Sequence, residues 1–118
     1  MNSWFKGRMQ SFKYALHGVR LMLHQPNFRI HIVIFTCVIC LAYFLQVSLT
    51  DWALLIIVSG LVFVAEGINT AIETLTDLVT LEKNKRAGMA KDIAAGAVLL
   101  AAIIAVTAGL IIFSKYLL

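Results

Sequence analysis

Long apolar runs alternate with short polar interruptions along this chain, and the interruptions mark where its helices end. Residues 28–47, "FRIHIVIFTCVICLAYFLQV", carry a single basic residue, Arg29, at their start. That is about the 20 residues of helix a bilayer requires. "SLTD" follows as a tight turn in which Thr50 or Asp51 is placed to cap the next helix. A second apolar run covers 51–79, longer than the hydrocarbon core, so its end is predicted to project into the headgroups or beyond. After the polar loop "TLEKNKRAG", a third run covers 89–113, with Ala101, Ala105 and Gly109 at four-residue intervals. Such a stripe of small residues lets helices approach closely. Ahead of all three, Trp4, Phe5, Met9, Phe12, Leu16, Val19 and Leu23 recur at helical intervals among Lys6, Arg8, Lys13, His17 and Arg20. This pattern predicts an amphipathic helix over 1–25 lying in the membrane interface. Pro26 biases Gln25 away from helical backbone and separates this helix from the first span. The expected fold is an all-α membrane protein: one interfacial helix and three transmembrane helices in a single domain, 1–118.

Composition agrees. Of 118 residues, 61% are hydrophobic, and the mean hydropathy is +0.91, above the apolar share of a soluble domain. The first 28 residues mix basic and apolar positions with no short apolar core leading to a cleavage site, so no signal peptide is expected. Cys37 and Cys40 have CxxC spacing, but they sit in an unbroken apolar run with no second ligand pair and read as membrane-helix residues. Four of the ten basic residues (Lys6, Arg8, Lys13 and Arg20) precede the first span and Arg29 stands at its start, while four more lie in or near 80–91; the 48–51 turn has none. The positive-inside rule then places the N-terminus and the 80–91 loop in the cytoplasm. The net charge of +4 reads as topology and attraction to anionic lipid, and no soluble basic face suggests nucleic acid.

The second span holds the unusual chemistry. At 100° per residue, Glu66, Asn69, Glu73 and Asp77 point to about 0°, 300°, 340° and 20°, one narrow face. Glu66 lies about 22 Å along the helix from Asp51, within the cytoplasmic half of the bilayer. Glu73 and Asp77 follow at and beyond the inner boundary. An ionisable group at the depth of Glu66 costs several kcal/mol unless paired or wetted, and such groups mark working sites. A carboxylate there suits a general base, whereas one at the boundary suits a divalent cation carrying phosphates. Across the loop, "AKD" (90–92) adds the Lys91 ammonium and the Asp92 carboxylate at a helix start. Neither a Walker A sequence nor a kinase Gly-rich loop is present.

"EGINTAIETLTDLVT", followed by "AKDIAAGAVLL", and "NFRIH" at the start of the first span resemble the bacterial prokaryotic-type diacylglycerol kinase family, which includes undecaprenol kinases. The resemblance covers nearly the whole chain. It implies a homotrimeric helical bundle in the bacterial cytoplasmic membrane, with active sites at the cytoplasmic boundary between neighbouring chains. It also implies ATP and Mg²⁺ as reactants and a membrane lipid alcohol as acceptor. By position, Glu66 resembles the catalytic base and Asn69 a residue beside the reacting groups. Glu73 matches a metal ligand, and Lys91 and Asp92 match ATP contacts, as do Tyr14, Glu82 and, in a looser alignment, Arg8. The family often has a second acidic metal ligand where this chain has Gln25, and an amide oxygen is a weaker Mg²⁺ ligand than a carboxylate. "TDLVT" and "AKDIAAGAVLL" are closer to the undecaprenol-kinase branch than to the enterobacterial one, where a serine tends to stand at the position of Ala95.

On the residues alone two other readings stay open. One is a small proton-coupled transporter with Glu66 as intramembrane carrier; the other is a scaffold held by polar contacts between helices. His17, His24 and His31 recur every seven residues but straddle Pro26, so interfacial roles are expected of them rather than metal binding. Trp4, Tyr14, Trp52 and Tyr116 fall near predicted boundaries, where aromatic anchors collect.

Overall fold

The computed structural model describes residues 2–118. Among them the only regular elements are four helices: α1 (Ser3–Leu23), α2 (Pro26–Leu45), α3 (Leu49–Val79) and α4 (Lys85–Leu117). The Asn2 side chain caps α1 by accepting from the Trp4 N–H. Pro26 stands at the first turn of α2, where its missing N–H would have had no helical partner anyway. The span therefore opens two residues earlier than the hydropathy pattern places it. It closes two residues earlier as well, because Gln46 turns into the left-handed region at φ 52° and folds the Val47 N–H back onto the Ala42 carbonyl.

Ser48, not Thr50 or Asp51, caps α3: its Oγ accepts from the Asp51 N–H at 3.2 Å. The Asp51 carboxylate turns inward instead. Similarly, Asn84 Oδ1 accepts from the Arg86 and Ala87 N–H groups, so α4 starts at Lys85 and runs on to Leu117. At 31 residues, α3 is roughly 46 Å long against a hydrocarbon core of about 30 Å. α2, α3 and α4 are all long and apolar enough to cross a membrane.

α3 and α4 pack along each other, with the small Ala94 and Ala101 buried on the α4 side. α2 leans on α3 through Phe28 and Phe35, both against the Phe63 ring at 5.1 and 5.5 Å between centroids. At the end opposite the charged loop, Ala42, Val47, Leu55 and Ile112 form a small core. There the Asp51 carboxylate is buried and takes Lys115 Nζ at 2.9 Å and the Tyr116 hydroxyl at 2.6 Å. The same hydroxyl accepts from the Ser48 N–H. α1 reaches α3 through Met22, whose terminal methyl occupies the space beside Gly67 that a Cβ would need.

One chain closes only part of its apolar surface. Its accessible area is 9018 Å², against roughly 6,300 Å² for a compact soluble protein of its 13.0 kDa. Its radius of gyration is 18.0 Å, where about 13–14 Å is usual for this length. Lipid or other protein has to cover the remainder.

Candidate active site

Three polar side chains are buried among the described residues: Asp51, Glu66 and Asn69. The Asp51 carboxylate is accounted for by Lys115 and Tyr116 at the far end of the bundle. Glu66 and Asn69 lie in the middle of an apolar helix, and the 3.6-residue repeat sets them on one face with Glu73.

Glu66 is 5% exposed. Its Oε1 lies 3.3 Å from His31 Nε2, on α2. Asn69 donates its Nδ2 to Glu73 Oε1 at 3.0 Å, one turn further along α3. Asn69 Oδ1 is buried without a donor, although such an atom ordinarily has one. Glu73 itself is exposed. The stripe therefore grades from a sheltered carboxylate at Glu66 to an open one at Glu73 within two turns.

Beyond Glu73, Lys91 Nζ meets Asp77 Oδ1 at 2.5 Å, with both side chains about half exposed. This pair edges a cavity of about 470 Å³ between the end of α3 and the start of α4, which Glu82, Lys83 and Lys85 also line. A volume of that order suits a small-molecule ligand. The lysines give it positive character at the mouth of a helix pair.

The structure thus brings Glu66, Asn69 and Glu73 together on α3 and sets Lys91 on α3 through Asp77. Other candidates stand apart. Tyr14 is 67% exposed on α1. Arg8 stacks over the Trp4 ring at 5.5 Å. Gln25 precedes α2 and makes no side-chain capping bond. Glu82 and Asp92 are exposed. Among the described residues no hydrogen bond or ion pair joins any of these five to Glu66, Asn69 or Glu73. His31 is the residue that sequence reasoning missed, having placed it with the interfacial histidines. α1 ends at Leu23 with His24 as its cap and α2 begins at Pro26, so His31 belongs to a different helix from His17 and faces α3. Its only visible signal was a polar residue inside an apolar span.

These features define a membrane-spanning helical protein with a sheltered carboxylate in mid-span and a charged mouth at one end. Residues 13–113 match the family described as prokaryotic diacylglycerol kinase. An undecaprenol kinase of Bacillus subtilis is 34% identical over 96% of this chain and 89% of its own length. A diacylglycerol kinase of Synechocystis is 45% identical over 84% of this chain, which spans 58% of that longer relative. The diacylglycerol kinase of Escherichia coli K12 is 34% identical over 79% of this chain and 77% of its own. The chain belongs to the prokaryotic diacylglycerol kinase family and is a membrane lipid kinase.

Proposed function

We propose that this kinase transfers the γ-phosphoryl group of ATP, with Mg²⁺, to the hydroxyl of a membrane lipid alcohol, with Glu66 as the general base. Undecaprenol is favoured over diacylglycerol as acceptor, because the undecaprenol kinase relative matches nearly end to end. Glu66 carries this reading: a carboxylate buried in mid-span is reached by a lipid hydroxyl from within the bilayer, while the charged mouth is reached by a nucleotide from water. Phosphoryl transfer depends mainly on positioning and on neutralising the phosphate oxygens. Lys91 supplies a cation at the mouth, and the Asp77 pairing that holds it is exposed and therefore weak enough to exchange for phosphate. Asp92, Glu82, Tyr14 and Arg8 are proposed as further nucleotide contacts from the cytoplasmic side.

The residues present fit an Mg²⁺ ion that arrives with the phosphates. Glu73 offers an exposed carboxylate whose Oε1 is fixed by Asn69, and such an ion takes one or two carboxylates and keeps its other positions on phosphate and water. Gln25 would add a neutral oxygen at most. When bound, the ion offsets charge on the β- and γ-phosphates. Glu66 takes the hydroxyl proton, and the apolar surroundings exclude water that would otherwise compete as acceptor.

We place the protein in the bacterial cytoplasmic membrane as a homotrimer, with the N-terminus and the 80–91 loop in the cytoplasm. The uncovered apolar surface and the donorless Asn69 Oδ1 favour a site completed by a neighbouring copy. The test is ATP-dependent labelling of undecaprenol and diacylglycerol, side by side, by purified protein. Undecaprenol is expected to label faster, and Glu66→Gln is expected to abolish labelling while the native mass stays that of three chains. Equal labelling by Glu66→Gln would remove Glu66 as base.

A further inference from the structure

We propose that His31 is a positioning residue for Glu66: its Nε2–H holds one carboxylate oxygen and leaves the other for the lipid hydroxyl. This rests on the reading of Glu66 as base.

The pair joins α2 to α3 across 35 positions of sequence at 3.3 Å, and the side chains are 22% and 6% exposed. An ionised carboxylate only accepts, so the imidazole must donate. Among the described residues no charged side chain other than these two pairs with either group. One turn away on α2 stand Phe28 and Phe35, and around Glu66 on α3 stand Val62, Phe63 and Asn69. α1 contributes Met22 beside Gly67, and the part of α4 that lines the groove at His31 presents only apolar residues such as Ala102 and Val106. Glu66 has no other hydrogen bond among the described residues. A glutamate side chain has three rotatable bonds, and in an apolar span one donor decides where its carboxylate points. Misplacing a reacting group by about 1 Å costs on the order of 100-fold in rate. In the transfer step, the hydroxyl proton passes to Glu66 Oε2 as the hydroxyl oxygen bonds to the γ-phosphorus. The bond from that phosphorus to the β,γ-bridging oxygen breaks, and ADP leaves with the electron pair. His31 keeps its proton throughout.

The experiment compares His31→Leu and His31→Gln in the full-length protein, with Mg²⁺, ATP and undecaprenol, and again with diacylglycerol. Leucine removes the donor; glutamine restores an N–H at similar reach. His31→Leu is expected to lower kcat roughly 30-fold with both KM values within about twofold, and His31→Gln to recover most of the loss. Infrared spectra give a readout independent of turnover: the Glu66 carboxylate band, assigned by its absence in Glu66→Gln, shifts in His31→Leu and returns in His31→Gln. If His31→Leu does not fold, His31→Asn, whose shorter side chain cannot reach Oε1, replaces it. Unchanged kcat, a loss confined to KM, or glutamine no better than leucine would overturn the role of His31. Full activity in Glu66→Gln would instead overturn the base assignment, and an infrared shift seen beside it would leave the His31 contact standing.

Discussion

Asn69 holds the Glu73 carboxylate through an amide N–H at 3.0 Å, while its own carbonyl oxygen is buried with no donor. The amide therefore works on both sides. It orients the Glu73 carboxylate, and it leaves a buried acceptor for a donor from outside the chain. A buried acceptor left bare costs about 1–3 kcal/mol, so a donor supplied on assembly or on substrate binding recovers that amount.

Replacing Asn69 by leucine roughly keeps the volume and removes the donor to Glu73 without adding a charge. Activity is expected to fall on the order of 100-fold, with a higher Mg²⁺ concentration needed for half-maximal rate. Initial rates across a Mg²⁺ titration check this; a wild-type titration would show that Glu73 needs no help from position 69.

Lys91 and Asp77 form an exposed pair, and exposed pairs contribute about 0–1 kcal/mol. Lys91→Met should therefore leave the melting temperature nearly unchanged while raising the KM for ATP at least about tenfold. Thermal unfolding and steady-state kinetics on one preparation separate the two. A large stability loss with normal KM would make the pair structural.

Gly67 faces the tip of Met22, whose methyl carbon stands 2.5 Å from where a Cβ would lie. Because that atom ends a flexible side chain, Gly67→Ala should be tolerated; the helix-propensity gain of about 1 kcal/mol offsets the shift. Gly67→Leu should instead push α1 away from α3. Protease sensitivity of the N-terminal segment, unchanged in the first variant and raised in the second, is the expected pattern.

At the other end, Lys115 and Tyr116 close on Asp51 and tie the start of α3 to the end of α4. Tyr116→Phe removes one donor to a buried carboxylate and the acceptor for the Ser48 N–H. The melting temperature is expected to drop by several degrees with KM for ATP unaltered, since the proposed nucleotide site, between the end of α3 and the start of α4, lies at the other end of the bundle. A rise in that KM would link the two ends.

The sequence by itself determined the three spans, the break at Pro26, the polar loop and the shared face of Glu66, Asn69 and Glu73. These follow from hydropathy and from the 3.6-residue repeat, which act within one helix. Helix ends were less legible, because Ser48 and Asn84 earn their capping role only through local backbone geometry. Tertiary structure alone decided that His31 meets Glu66, that Lys91 rests on Asp77, and that Asp51 is the buried end of a clamp with Lys115 and Tyr116. Each of these joins two helices. Periodicity tells which face of a helix a residue occupies, but the register and rotation of one helix against another come from packing, and no repeat along a single chain encodes them.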